Sequence, residues 1–148
     1  MTNQVAVRVP GKINLQLSVG PLARDGYHEL ATVFQSVSLF DEVTVSQIES
    51  GIEITSDSKS NIPLDKENLA FRAAEIMCKK FDIETGLAIK IKKGIPVAGG
   101  MAGGSADAGG TIVAIDSLFS LGLKRDEMER IGAELGADVP FTISASVS

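Results

Sequence analysis

Tryptophan is absent from this 148-residue sequence, and cysteine, histidine and tyrosine occur once each, as Cys78, His28 and Tyr27. A lone cysteine excludes an internal disulfide and a multi-cysteine zinc site, and a lone histidine excludes any metal centre that needs two imidazoles. Positive charge is in deficit. Fourteen Lys and Arg face nineteen Asp and Glu, a net charge of −5, which argues against non-specific binding to nucleic acid or to an anionic membrane. No apolar run approaches the ~18–20 residues that span a bilayer. The start, Met1-Thr2-Asn3-Gln4, lacks the basic-then-apolar pattern of a signal peptide. A soluble cytoplasmic protein is expected. With 44% hydrophobic and 22% charged residues the chain can build a core, and its length suits about one domain.

What is present changes character along the chain. The first half alternates with period two. Val5, Val7 and Val9 form one such set, and Ile13, Leu15, Leu17 and Val19 form a second after Pro10-Gly11, the mark of half-buried strands. Residues 30–39, 42–47 and 51–55 read as further strands, and residues 56–61 as a polar turn. Leu69, Ala73, Ile76, Met77 and Phe81 then fall at helical spacing, with Asp65 as the expected N-cap. Cys78 lies on the widened apolar stripe of that helix and reads as a small buried hydrophobe, because no base stands near it in sequence. Leu87, Ile89 and Ile91 alternate again, with Lys90, Lys92 and Lys93 on or beside the outer face. A second helix is expected from about Ser105, turning Ile112, Ile115, Leu118 and Phe119 inward. A third is expected from Arg125 to Leu135, carrying Met128 and Ile131, with Gly136 at C′ and Pro140 forbidding continuation. Strands first and helices later indicate an α+β layer architecture.

Seven of the fifteen glycines lie in residues 94–110, so the enrichment is local and needs a local cause. The run passes from a strand through Pro96, Val97, Ala98, Gly99, Gly100, Met101, Ala102, Gly103 and Gly104 into a helix at Ser105, Ala106 and Asp107. Amides without side chains can approach phosphate oxygens closely, and a helix N-terminus adds about half a positive charge. Ser105 can offer a hydroxyl to phosphate or Mg²⁺, and Asp107 suits the first turn and could also meet a metal. A surface loop with an ordinary serine cap is the plainer alternative. Gly109 and Gly110 each cost ~1 kcal/mol against alanine inside a helix, a cost that close packing can offset. No Gly-Lys-Ser/Thr follows, so this is not a Walker A loop, and the glycines fit a Rossmann fingerprint badly. Cations and a base must come from elsewhere. Lys12, just after a Pro-Gly corner, and Asp138, between a helix end and Pro140, are the candidates, although either alone reads as a surface charge.

Together, Pro10-Gly11-Lys12-Ile13-Asn14-Leu15, the glycine segment and Gly136-Ala137-Asp138-Val139-Pro140-Phe141 resemble the GHMP small-molecule kinases. Arg24-Asp25-Gly26-Tyr27-His28-Glu29-Leu30 is similar to the branch that phosphorylates 4-diphosphocytidyl-2-C-methyl-D-erythritol in the non-mevalonate isoprenoid route. The resemblance implies a ribosomal-protein-S5-domain-2-like fold and ATP-dependent transfer, with Mg²⁺, to the substrate's 2-hydroxyl. It implies Asp138 as general base and Lys12 as its cationic partner. Asn14, Tyr27 and His28 would bind the substrate, while Asn68, Lys93 and residues 96–106 would bind the nucleotide. Ser105 would meet Mg²⁺ through ATP.

The sequence also departs from that family. Ala106 stands where a second serine is usual, so Ser105 must serve alone, and Gly109-Gly110 replaces the usual alanines. Family members are about twice as long, so residues 1–148 read as the N-terminal, nucleotide-binding domain without its C-terminal companion. Such a half leaves sheet edges and apolar faces to cover, which favours a homodimer. The alternatives are another kinase of this superfamily, for example one acting on homoserine or mevalonate, and a non-catalytic nucleotide-binding fragment.

Overall fold

The computed structural model describes residues 3–10, 40–57, 62–95 and 103–146. The expected strands at 13–19 and 30–39 lie outside the described residues. Four strands are β1 (Gln4–Pro10), β2 (Phe40–Ile48), β3 (Ile52–Ser56) and β4 (Gly86–Lys92). They form one sheet in the order β1-β2-β4-β3, with β1–β2 and β2–β4 antiparallel and β3–β4 parallel. Register follows from the alternation. Val7 faces Val43 and Val43 faces Ile91, while Val45 faces Ile89, which faces Ile54. All six are buried, so a one-residue slip of any strand would turn its apolar set to solvent. Burying each such side chain is worth about 1.5–3 kcal/mol over leaving it exposed.

Among the described residues four helices cover the sheet: α1 (Leu69–Lys80), α2 (Gly103–Leu118), α3 (Arg125–Ala133) and α4 (Val139–Ala145). Helix α2 lies on β1 and β2, α1 packs on α2 and β3, and α4 packs between α2 and α3. The expected α+β class with a mixed sheet is the one observed. Gly109 and Gly110 explain how α2 comes so close. A Cβ on Gly109 would collide with the Thr142 hydroxyl of α4, and one on Gly110 would sit 2.6 Å from Val9 Cγ2. The packing that offsets their helix cost is therefore specific, one glycine facing α4 and the other the sheet.

Several local expectations are corrected. The N-cap of α1 is Asn68, not Asp65: Asn68 Oδ1 accepts from Ala70 N–H at 2.8 Å, while Asp65 Oδ1 accepts from Glu67 N–H within the preceding turn. Both residue types cap well, and the turn at 65–68 decides between them. Helix α2 begins at Gly103, two residues before Ser105. Helix α3 ends at Ala133, and its end is closed by Leu135 and Gly136 N–H groups donating to Gly132 O. Gly136 takes no left-handed conformation. Pro140 begins a helix as well as barring one, because the first turn of α4 needs no donor from it.

Candidate nucleotide site

The N-terminal ends of α1 and α2 and the end of β4 meet at a cleft of about 170 Å³, into which Asn68, Lys93, Gly104 and Asp107 all reach. Asn68 is fixed from both sides of its amide. Its Oδ1 caps α1, and its Nδ2 donates to Pro63 O at 2.8 Å. Gly104 has open space where a Cβ would project, and the first-turn amides of α2 have no intrahelical acceptor. Ser105 follows, half-buried, whereas the Ala106 methyl is fully buried in the core and offers a ligand nothing but its backbone.

Lys93 departs from the expected outer face. Its neighbours Lys90 and Lys92 are exposed, but the Lys93 side chain is only 6% exposed and its Nζ lies 2.5 Å from Asp41 Oδ2 and 3.0 Å from Asp107 Oδ2. It follows the last residue of β4, where the alternation stops controlling direction and two buried carboxylates draw the ammonium in. Asp41 is the residue that sequence reasoning missed. Its Oδ1 accepts from Gly94 N–H at 2.8 Å and Ile95 N–H at 2.9 Å, so with Lys93 it has three donors. A signal was present: Asp41 falls in phase with Val43 and Val45, a carboxylate on an apolar face.

The buried triad holds one positive and two negative charges. Asp107 is the less supported carboxylate, since Lys93 is its donor on Oδ2 and its buried Oδ1 has no hydrogen-bond partner. Burial pushes the Asp107 carboxyl well above the ordinary carboxylate range, and the neighbouring Asp41 carboxylate pushes it further, with Lys93 opposing both. Burial works against the Lys93 charge, but Asp107 and Asp41 together outweigh it and hold the ammonium above its usual value. In contrast, burial raises the Cys78 thiol, in keeping with a packing role.

Asp138 is the N-cap residue of α4 and half-buried. One turn later the Thr142 hydroxyl lies 2.6 Å from Val139 O and 3.2 Å from Ser105 O. That contact joins α4 to the first turn of α2. Lys12, Asn14, Tyr27, His28 and residues 96–102 lie outside the described residues. Among the described residues no three His, Cys, Asp or Glu side chains are grouped to hold a metal ion, and no helix is long and apolar enough to cross a membrane.

A glycine-rich helix start beside a cleft occurs in many folds, so the comparison with known sequences decides which one this is. The profile described as the GHMP kinases N terminal domain matches residues 68–146, which takes in α1, β4, α2, α3 and α4. The chain belongs to the GHMP kinase family. Within it, a protein of Mycolicibacterium vanbaalenii named 4-diphosphocytidyl-2-C-methyl-D-erythritol kinase is 52% identical over 143 residues, covering 96% of this chain and 44% of that protein. One of the same name from Paenarthrobacter aurescens is 48% identical over 147 residues, covering 94% and 46%. The chain thus spans less than half the length of these relatives. A crystal structure of 4-(cytidine 5'-diphospho)-2C-methyl-D-erythritol kinase superposes with a TM-score of 0.59 at 31% identity, over 72% of this chain and 36% of that one. Homoserine kinase from Cytophaga hutchinsonii gives 0.69 at 18% identity, over 91% and 41%, a likeness of fold alone. The resemblance carried by the glycine segment and the Gly-Ala-Asp-Val-Pro segment is therefore borne out at the level of the family.

Proposed function

We propose that this GHMP kinase domain is the nucleotide-binding part of an ATP-dependent kinase that phosphorylates the 2-hydroxyl of 4-diphosphocytidyl-2-C-methyl-D-erythritol. The observation that carries this reading is the identity of about half the residues, over nearly the whole chain, with proteins bearing that kinase's name. The cleft supports it, since Asn68, Lys93 and Gly104 converge there from three separate elements. The first-turn amides of α2 receive the phosphates of ATP, and the helix dipole favours their charge. Asp138 takes the proton of the 2-hydroxyl as its oxygen bonds to the γ-phosphorus and the bond to the bridging oxygen breaks, releasing ADP. Lys12 is the cationic partner of Asp138, and Asn14, Tyr27 and His28 hold the acceptor. Ser105 would hold Mg²⁺ bound to the phosphates, and the ion would supply positive charge to neutralise them. The setting is cytoplasmic.

An ADP-release assay with the cytidyl substrate, homoserine and mevalonate as alternative acceptors tests the reading. Turnover with the cytidyl substrate alone is expected. In Asp138→Asn it should fall by about 10²–10⁴-fold while Mg·ADP binding survives. Preference for homoserine or mevalonate, or undiminished turnover in Asp138→Asn, refutes it. The second reading is a nucleotide-binding unit without turnover of its own, which ADP binding without ADP release would support.

A further inference from the structure

Asp41 and Asp107 are 52 and 14 residues from Lys93 in sequence, on different elements, yet both carboxylates hold its ammonium. Asp41 also takes the two amides that follow Lys93, at Gly94 and Ile95. One carboxylate thus fixes the end of β4, and through Lys93 that end is fixed to Asp107, just past the first turn of α2. Close approach is required at this point as well, since a Cβ on Gly94 would overlap Phe40 O, the residue before Asp41. A hydrophobic residue at position 41, like Val43 and Val45 two and four residues on, would leave the Lys93 ammonium and the Gly94 and Ile95 N–H groups without this acceptor. The aspartate is therefore called for by the junction it holds together and not by the apolar face it sits on.

We propose that Asp41 is a positioning residue for phosphate binding: with Lys93 and Asp107 it forms a buried staple that ties α2, just past its first turn, to the end of β4, so that the Gly104 and Ser105 amides that precede Asp107 meet a nucleotide's phosphates. The proposal rests on the nucleotide-binding reading for its ligand, but the staple itself is testable without one. Charge matters in this device. The carboxylate accepts three hydrogen bonds at once, whereas an amide in its place would aim a donor at the ammonium or at the two backbone N–H groups.

The test compares Mg·ADP with adenosine, which lacks phosphates, by titration calorimetry on the parent chain, Asp41→Ala and Asp41→Asn, each checked for a cooperative melt. Loss of charged hydrogen bonds that orient the phosphate amides should weaken ADP by about tenfold or more, leaving adenosine affinity within about twofold of the parent. Equal losses for both ligands, or none, overturn the proposal, because a residue that merely supports the core has no reason to distinguish them. Amide hydrogen exchange supplies the arm that needs no nucleotide and no change at Asp41. In Asp107→Ala, on the far side of Lys93, exchange at Gly94 and Ile95 should quicken by about tenfold if the three side chains act as one unit. Unchanged exchange there overturns the staple. Quickened exchange in a chain whose parent binds neither ligand would retain the staple and discard the nucleotide reading.

Discussion

Gly109→Ala should destabilise this domain, although alanine is the better helix former. The position lies inside α2, where the substitution is worth about 1 kcal/mol in helix propensity. Against that, the new Cβ would fall within the Thr142 hydroxyl and lie 3.1 Å from Thr142 Cβ and 3.3 Å from Ile143 N. The last of these is backbone, so a rotamer change cannot clear the methyl, and α4 must move away from α2. Overpacking of this kind costs about 1–3 kcal/mol. The Thr142 hydroxyl also loses its place between Val139 O and Ser105 O, about 1 kcal/mol more. The net expectation is a loss of about 1–3 kcal/mol, or a fall in Tm of roughly 2–10 °C for a chain of this size. Circular dichroism melts at fixed pH read it directly. Gly104→Ala is the control, because nothing lies within 4 Å of its Cβ. It should gain up to about 1 kcal/mol while weakening Mg·ADP, whose phosphates need that space. A Gly109→Ala protein that melts at or above the parent would refute the claim that this glycine exists for close packing.

Two further predictions follow from buried polar groups. Asn68→Ala removes both the cap of α1 and the donor to Pro63 O and should cost about 1–2 kcal/mol in urea unfolding at neutral pH. Asn68→Asp keeps an acceptor for Ala70 N–H and should lose less, and the reverse ranking would show that the cap is not what the residue contributes. For Asp107, the raised folded-state carboxyl means that the native chain binds this proton more readily than the unfolded one. That preference favours folding below the unfolded value of about 3.9 and is lost as pH rises towards the folded value. Asp107→Asn should therefore gain on the parent in Tm as pH climbs from about 4 to about 8, whereas a gap independent of pH would contradict the sign.

The sheet and three of the four helices were legible because apolar spacing dictates them. Val5, Val7 and Val9, and later Leu87, Ile89 and Ile91, alternate as a half-buried strand must, and Met77, Ile112, Ile115 and Ile131 mark the inward faces of their helices. Helix α4 was not legible. Seven residues give too little periodicity to recognise, and Pro140 reads as a stop in the sequence although the same ring is at home in a first turn. The cap of α1 was misplaced for a related reason. Asp65 and Asn68 are both good caps three residues apart, and what separates them is a turn in which Asp65 O accepts from Asn68 N–H.

The site divides along the same line. Glycines in number point to a phosphate-binding turn because no fold needs so many without a reason, and a carboxylate beside a proline corner draws attention by its placement. The Asp41–Lys93–Asp107 triad does not show as a unit, since Lys93 and Asp107 stand out only as candidate nucleotide and metal contacts and Asp41 looks like one charge among many. Lys93 follows Lys90 and Lys92, which are exposed, and only the ending of β4 frees it to turn inward. Periodicity reports the face on which a side chain begins, not the partner at which a long one ends, so long-range ion pairs are the part of a site a single sequence conceals most. Asp41 is the exception worth generalising. A carboxylate in phase with Val43 and Val45 must either break the strand's apolar face or find three donors there, and finding them requires that the chain return to that point. A charged residue in phase on an otherwise apolar strand face is thus a sequence-level sign of a buried polar junction, even where the partners remain unread.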